Sequence, residues 1–200
     1  VSDMTRFWMR QDLVVPHLVD YLTERCGVRE EDITIVIANG THIGGDEQEL
    51  RTLVTDAVYD RVKVKNHDCE AKDLVYLGTT PHGTPVSIDR TAAEADLVVC
   101  LGAVTHHVMA GFGGGRKSIL PGISGRETIF HNHAFSLDAA QLRSNPAIGN
   151  GVLKGNPLHE DMCEAAGLVK NLFIVNLVMN AQMQLAAILS GHYLTSWEAA

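Results

Sequence analysis

Short apolar runs alternate along this chain with longer segments in which apolar residues recur every three or four positions. The two clearest runs, Ile33 to Ala38 (ITIVIA) and Asp96 to Leu101 (DLVVCL), are typical of strands buried on both faces of a parallel sheet. The same criteria predict further strands at 62–66, 74–78, 85–88, 172–179 and 183–189, the last two forming a C-terminal pair.

The amphipathic segments between these runs predict helices. They lie at 12–26, 46–61, 91–95, 125–137 and 157–168. The alternation of strands and helices favours the α/β class, with a mostly parallel Rossmann-like sheet flanked by helices. We expect residues 1–200 to form a single α/β domain, because this length supports one sizeable core.

One stretch, from Ala103 to His133, is too rich in special residues for a connecting loop. It contains two pairs of histidines, three consecutive glycines, an Arg-Lys-Ser and a Pro-Gly, and it follows the predicted strand at 96–101. In open α/β sheets, ligands bind beyond the carboxyl ends of the strands, and consecutive glycines let backbone amides approach an anion. The stretch therefore predicts a binding site for a phosphate or another negative group.

The general motif nearest to this glycine loop is the P-loop, G-x-x-x-x-G-K-[ST]. The segment from Gly111 to Ser118 has the right length, but the residue before Lys117 is Arg116 and not the required glycine. A variant P-loop and a simple glycine-rich surface turn both remain open from the loop alone.

Geometry limits what the paired histidines can do. His106 and His107 are adjacent, so an extended backbone directs them to opposite sides. His131 and His133 are two positions apart in a predicted helix, which separates them by about 200° of rotation. We expect at most one histidine of each pair to face the site.

Composition narrows the classes of function. A net charge of −8 argues against a nucleic-acid surface, and no apolar run reaches the length of a membrane span. Four scattered cysteines without a C-x-x-C pair indicate reduced thiols and a cytoplasmic protein. The ten histidines are mostly dispersed, whereas metal-storage proteins usually concentrate them in tracts, so a non-enzymatic nickel-binding module is a weaker alternative.

Four motifs in order resemble the nickel-pincer-dependent lactate racemase family. They are SDMTR at Ser2, IANGTH ending at His42, the glycine-loop run HHVMAGFGGGRKSILPG, and GRETIFHNH ending at His133. The resemblance implies a cytoplasmic isomerase acting on a small-molecule 2-hydroxy acid, lactate or a related substrate. It implies nickel and a pyridinium-3,5-bisthiocarboxylic acid mononucleotide as cofactors, with cofactor-synthesis proteins as partners.

The resemblance also implies individual roles. Lys117 would hold the cofactor covalently, His133 would ligate nickel, and His42 and His107 would be the acid/base pair. Asp3 and Arg6 would belong to the active site, the arginine holding the substrate carboxylate. Locally, Asp3 also fits a helix N-cap, Arg6 a solvated charge and His42 a loop histidine. The cofactor phosphate would contact Gly113, Gly114, Gly115 and Arg116.

In this family, hydride transfer from C2 of the substrate to the cofactor and back avoids a carbanion beside a carboxylate. Because hydride can return to either face of the planar 2-oxo acid, two bases are needed, one for each face. Neutral imidazoles suit proton transfer both from and to the substrate oxygen. Two departures from the family pattern, Phe7-Trp8 after Arg6 and Ile43-Gly44-Gly45 after His42, affect pocket shape and substrate preference.

The resemblance covers nearly all of this chain but only about the middle half of the family's length. It therefore implies a further N-terminal portion, and a missing second domain that closes the cleft. On that basis we expect this chain alone to be inactive or nearly so. A nucleotide-phosphate-binding enzyme with a variant P-loop, and racemisation or epimerisation of a larger 2-hydroxy acid, remain alternatives.

Overall fold

The computed structural model describes all 200 residues and confirms the α/β class. The α-helices are α1 (Val15–Asp20), α2 (Glu47–Val54), α3 (Asp56–Tyr59), α4 (Arg90–Glu94), α5 (Arg126–Ala134), α6 (Pro157–Gly167) and α7 (Thr195–Glu198). The strands are β1 (Thr34–Ile37), β2 (Lys63–Asn66), β3 (Val75–Thr79), β4 (Pro85–Ile88), β5 (Val98–Ala103), β6 (His106–His107), β7 (Gly111–Phe112), β8 (Leu137–Asp138), β9 (Arg143–Ser144), β10 (Leu172–Met179) and β11 (Leu185–His192).

The sheet is not the continuous, mostly parallel one that the sequence predicts. Parallel pairing joins β1 to β2 and β5 to β10, and β11 extends the second sheet antiparallel to β10. The predicted C-terminal strand pair is therefore present. Three antiparallel pairs, β3–β4, β6–β7 and β8–β9, stand apart, because short connections return the chain before it can cross to a parallel neighbour.

Two predicted helices are broken into shorter pieces. The helix predicted at 46–61 ends at Thr55, whose φ of 76° is incompatible with a continuing helix, and resumes as α3. The helix predicted at 12–26 is a 3₁₀ turn at Gln11–Leu13, then α1, then one π-helical turn at Tyr21–Arg25. Further 3₁₀ helices lie at Met4–Met9, Glu30–Asp32 and Gly115–Ser118.

Two apolar clusters lie on the two faces of the strands. The first core packs α1, α2 and α3 against Ile35 and Ile37 of β1 and Leu101 of β5. The second core packs α5 and α6 against Cys100 of β5 and Ile174 of β10. Both cores contain residues of β1 and β5. The segment with His42 follows β1 and the glycine loop follows β5, so packing of the two strands fixes where these segments start.

No helix in the structure is long and apolar enough to cross a membrane. All four cysteines are free thiols, and two of them, Cys69 and Cys100, are buried.

Candidate functional site

The loop after β1 brings His42 to the carboxylate of Asp3. Nδ1 of His42 lies 2.5 Å from Oδ2 of Asp3, whose side chain is 9% exposed against 52% for the imidazole. A carboxylate only accepts hydrogen bonds, so Nδ1 carries the proton in this contact. The neutral His42 ring therefore has its lone pair on Nε2, which suits it to accept a proton.

Two hydrogen bonds from Thr5 hold the side chain of Asp3 in place. Its Oδ1 accepts hydrogen bonds from the backbone N–H of Thr5 at 3.1 Å and from the Thr5 hydroxyl at 2.6 Å, which makes Asp3 the N-cap of the 3₁₀ helix Met4–Met9. Arg6, in the first turn of that helix, is exposed and donates to Thr5 Oγ1 at 2.9 Å. The N-cap interpretation of Asp3 is thus correct, and it coexists with the histidine contact.

His107 has the opposite arrangement of its ring nitrogens. Its Nδ1 accepts hydrogen bonds from the backbone N–H groups of Met109 at 3.2 Å and Ala110 at 3.1 Å. Burial lowers the pKa of His107 to about 4, and the positive charges of Lys117 and Arg6 add to the effect. At neutral pH the ring is uncharged and carries its proton on Nε2.

Lys117 lies in the 3₁₀ helix Gly115–Ser118 and forms no salt bridge. Burial lowers the pKa of Lys117 to about 7, with contributions from the charges of Arg116 and Arg6. A large fraction of this amine is therefore uncharged and nucleophilic near neutral pH. The short 3₁₀ helix also differs from the long helix that follows a P-loop, so the geometry does not favour the variant P-loop.

Backbone hydrogen bonds connect the His42 loop to the lysine. The N–H of Gly40 donates to the carbonyl of Gly122 at 2.9 Å, and the N–H of Gly122 donates to the carbonyl of Lys117 at 3.0 Å. Arg6, which lies beside Asp3, contributes to the pKa shifts of both His107 and Lys117. The structure thus places Asp3, Arg6, His42, His107 and Lys117 in one region, although β1, which precedes His42, and β6, which contains His107, belong to separate sheets.

The glycine loop uses most of its amides internally. The N–H of Gly113 donates to the carbonyl of Thr105 at 2.7 Å, and the N–H of Gly115 donates to Oδ1 of Asn176 at 3.0 Å. The amide of Gly114 makes no hydrogen bond within the chain. Gly114 has a φ of +74°, and a Cβ there would lie 2.9 Å from Val104, so only glycine fits.

Arg116 is buried and faces inward. Its guanidinium donates to the carbonyls of Ala110 and Phe112, and it lies 4.0 Å from the ring centroid of Trp197. These contacts give Arg116 a role in shaping the loop, and its assignment to the cofactor phosphate stays a prediction. Trp197 also donates from Nε1 to the carbonyl of Gly113 at 2.8 Å.

His133 lies in the last turn of α5, half-buried, and its Nδ1 has no hydrogen-bond partner. Burial lowers the pKa of His133, the charge of Lys117 adds to this, and the Ile129 carbonyl one turn earlier opposes it. The helix is anchored by Asn132, whose Nδ2 donates to the buried carboxylate of Asp161 at 2.7 Å. Asp161 also accepts hydrogen bonds from the hydroxyls of Thr80 and Thr84.

A family model described as the lactate racemase N-terminal domain matches residues 1–144. The chain belongs to this family. Lactate racemase of Thermoanaerobacterium thermosaccharolyticum is 33% identical over 181 residues, which are 90% of this chain and 41% of the relative. Lactate racemase of Lactiplantibacillus plantarum is 32% identical over 160 residues, which are 80% of this chain and 37% of the relative.

One solved structure agrees with the family assignment, and a second shows the same fold. The lactate racemase apoprotein of T. thermosaccharolyticum superimposes with a TM-score of 0.89 at 32% identity, covering 99% of this chain and 46% of that one. A protein from Thermotoga maritima shares the fold, with a TM-score of 0.78 at 22% identity, covering 99% of this chain and 51% of that one. The chain thus spans less than half the length of the lactate racemases that it matches.

In each histidine pair of this family member, one ring is more buried than the other. His107 and His133 are half-buried, whereas His106 and His131 are exposed, and His106 packs on the ring of Phe112 at 4.9 Å. This burial agrees with the expectation that one histidine of each pair faces the site.

Sequence reasoning missed Asn176 and Trp197, the residues that support the glycine loop from β10 and α7. Both lie beyond residue 144, where the family model ends. The signal that would have indicated Asn176 is its own position, since a lone amide in the apolar run LFIVNLVM needs a buried partner.

Proposed function

We propose that this chain forms the cofactor-bearing wall of a racemase or epimerase of 2-hydroxy acids, with lactate or a related small molecule as substrate. One observation carries the proposal: the structure brings the Asp3–His42 pair close to Lys117. Two backbone hydrogen bonds, Gly40 to Gly122 and Gly122 to Lys117, make this connection, and His107 lies in the same region. Because the chain spans about 41% of its relative from T. thermosaccharolyticum, turnover belongs to a longer protein whose second domain completes the cleft.

The residues present fit a nickel-pincer pyridinium mononucleotide. Nδ1 of His133 is buried, so Nε2 is the ring nitrogen that could reach a metal, and imidazole suits nickel. A partly neutral amine on Lys117 suits attachment through an amide-like bond. When bound, this group supplies a hydride acceptor and donor for C2 of the substrate.

His42 is the residue best prepared to take the hydroxyl proton of the substrate. Its Nε2 lone pair is free, and Asp3 both fixes this tautomer and stabilises the imidazolium that forms. Arg6 would hold the substrate carboxylate through its planar guanidinium, because its side chain is exposed beside Asp3.

His107 serves the same substrate oxygen from another direction. In its resting tautomer, Nε2–H donates a hydrogen bond to that oxygen. For Nε2 to take up a proton, the ring must first give up the two amide contacts of Nδ1 and move its own proton to Nδ1, and the uptake then makes the ring charged. The low pKa of His107, caused first by burial and then by Lys117, opposes that charge. Attachment of Lys117 to the cofactor removes one of these opposing charges and brings His107 closer to acid/base use.

For the cofactor phosphate, the amide of Gly114 is the one free donor of the three glycines. The free thiols support a second part of the proposal, that the protein works in the reducing cytoplasm and receives its cofactor from cofactor-synthesis proteins there.

The covalent step is tested by mass spectrometry. The chain is co-expressed with the cofactor-synthesis proteins, and the peptide that contains Lys117 is expected to carry the cofactor mass. Lys117→Arg keeps the positive charge but cannot form the bond, so it should carry none. An unmodified Lys117 peptide, from cells in which a full-length lactate racemase is loaded, would contradict the proposal.

The metal ligand is tested separately. His133→Ala in the cofactor-loaded protein should lose most of its nickel, measured as metal per chain by atomic absorption, because a ligating nitrogen is removed. His131→Ala, which changes the exposed histidine of the same helix, is the control and should retain it. Equal nickel in both variants would show that His133 is not a ligand.

A further inference from the structure

The side chains of Asn66 and His67, two consecutive residues at the end of β2, bind two different segments of the functional site. β2 is parallel to β1, with Asn66 opposite Ile37, and the N–H of His67 donates to the carbonyl of Ile37 at 3.0 Å. The backbone of the pair is therefore fixed against the strand that precedes His42. Neither side chain belongs to the acid/base pair or to the cofactor anchor.

The amide of Asn66 holds the segment that carries His42. Its Nδ2 donates to the carbonyl of Gly45 at 2.8 Å, and its Oδ1 accepts from the N–H of Gly45 at 3.1 Å. The same Oδ1 accepts from Nδ2 of Asn39 at 3.1 Å. Asn39 and Gly45 lie on the two sides of His42 in the sequence, so one side chain closes the loop that carries the base. The approach is close, since a Cβ at Gly44 would lie 2.8 Å from Cγ of Asn66.

The imidazole of His67 holds the segment that follows Lys117. The side chain is fully buried, and its Nε2 lies 2.9 Å from the carbonyl oxygen of Ser124. A carbonyl only accepts hydrogen bonds, so Nε2 carries the proton in this contact. Nδ1 of the ring lies 3.6 Å from Oδ2 of Asp89. Ser124 in turn donates from Oγ to the carbonyl of Ile119 at 2.8 Å, which closes the turn after Lys117.

These two contacts complete a ring of connections. Gly40 belongs to the segment that Asn66 binds. Its N–H donates to the carbonyl of Gly122 at 2.9 Å, and Gly122 belongs to the segment that His67 binds. His67 and Ser124 are both buried, so water does not compete for the contact between them. Groups that are held by several buried hydrogen bonds keep their relative positions, which a catalytic pair requires.

We propose that Asn66 and His67 are positioning residues, which set the spacing between His42 and Lys117. The inference rests on the proposed function, in which these last two residues are the base and the cofactor anchor. A misplacement of about 1 Å can lower a catalysed rate about a hundredfold, so this spacing matters although neither positioning residue is assigned to the reacting atoms. Loss of either contact should loosen the hydrogen bond between Gly40 and Gly122, which joins the two segments.

The contact of His67 is tested with two variants that differ by one methylene. Nε2 of glutamine stands about as far from the backbone as Nε2 of histidine, so His67→Gln keeps a donor within reach of Ser124. The amide of His67→Asn is shorter and cannot reach it. Exchange of the amide hydrogens of Gly40 and Gly122 should be about fivefold faster in His67→Asn, the equivalent of one hydrogen bond, and should stay near the parent rate in His67→Gln.

The amide of Ile174, in the central strand β10, is the reference for a general loss of stability. Both variants lose the packing of the same ring, so both should change exchange at Ile174 by similar factors. A merely structural role of His67 predicts that Gly40 and Gly122 follow Ile174 in both variants. The inference is overturned if the glutamine and asparagine variants give the same exchange at Gly40 and Gly122.

Asn66→Asp tests the other contact, and it keeps the inference testable if the histidine tolerates no substitution. It has the same size, keeps the acceptor for the N–H of Gly45 and removes the donor to the Gly45 carbonyl. Exchange at Gly40 should again be about fivefold faster. Asn145→Asp, which removes a donor to the carbonyl of Phe135, is the matched control and should leave Gly40 unchanged. A parent rate at Gly40 in a folded Asn66→Asp chain contradicts the inference.

A last measurement separates this inference from the proposed function. After co-expression with the cofactor-synthesis proteins, the cofactor adduct on Lys117 should be about tenfold less abundant in His67→Asn than in the parent chain, because the covalent step needs the amine in place. His67→Gln should restore it. If the parent chain carries no adduct, the proposed function fails, and the exchange rates alone decide the inference. Equal adduct in the parent chain and in His67→Asn overturns the positioning role.

Discussion

Asp3 determines which nitrogen of His42 is available for chemistry. Its Oδ1 accepts two hydrogen bonds from Thr5, so only Oδ2 is left for the imidazole. The two residues are 39 positions apart, and no local pattern predicts that they meet. The family resemblance placed both at the site, but their direct contact is known only from the fold.

This contact gives a prediction for Asp3→Asn. The asparagine oxygen must face the Thr5 donors, which turns Nδ2–H toward His42 and makes Nδ1 an acceptor. His42 should then switch its proton from Nδ1 to Nε2, as seen in the ¹⁵N shifts of the two ring nitrogens. Asp12→Asn, whose side chain pairs with Arg10, should leave them unchanged. An unswitched tautomer in Asp3→Asn would show that Asp3 does not control the ring.

A second prediction concerns the electrostatic link between Lys117 and His107. Burial first, and then the positive charge of Lys117, hold the pKa of His107 at about 4, so Lys117→Met should raise this pKa toward the ordinary value of histidine. The measurement is an NMR titration of the His107 ring. Lys170→Met removes an exposed lysine and serves as the control. If both variants titrate like the parent chain, the two groups are not coupled.

Among the elements, those with a strong periodic pattern were predictable and those made by distant contacts were not. β10 begins and ends at the predicted residues, and α5 and α6 lie within the predicted helices, because each segment carries its own apolar pattern. The two-residue strands β6 to β9 and the break at Thr55 have no such pattern. The sheet order was also missed, because strand pairing depends on residues far apart in sequence.

The helix that carries His133 depends on one buried carboxylate. Asp161 is fully buried and accepts hydrogen bonds from Thr80, Thr84 and Asn132. Asp161→Ala leaves these three donors unpaired and should lower the free energy of unfolding by about 3 kcal/mol, measured by urea denaturation. Glu160→Ala removes a carboxylate that is 43% exposed and accepts one backbone hydrogen bond, from Gly155, so it should cost less, about 1 kcal/mol. Equal effects would mean that the Asp161 network contributes little.

For the molecule as a whole, the buried histidines predict that the free energy of unfolding falls in acid. Burial, aided by the charge of Arg116, lowers the pKa of His159 to about 4, from 6.5. The folded state resists protonation of this ring, whereas the unfolded chain accepts the proton. The neutral His159 ring therefore makes its full contribution to the stability of the fold above pH 6.5, and this contribution is lost as the pH falls toward 4. The loss attributable to His159 is about 3 kcal/mol.

The measurement is urea denaturation at several values of pH between 7 and 4. His159→Phe keeps a ring next to Trp197 and should flatten the decline, whereas His17→Phe changes an exposed histidine and should not. The pKa of His107 and His133 is lowered for the same main reason, so part of the decline should persist in His159→Phe. A decline that is identical in all three proteins would exclude His159 as a source.

The contacts of Trp197 have a consequence for how this protein is divided experimentally. Its indole nitrogen donates a hydrogen bond to the carbonyl of Gly113, and the side-chain oxygen of Asn176 accepts one from the N–H of Gly115. Both residues follow residue 144, where the family model ends. A truncation at residue 144 would keep every recognisable motif and yet discard the scaffold that shapes the lysine's surroundings. The positions of the sequence motifs therefore do not mark where the smallest unit that folds by itself ends.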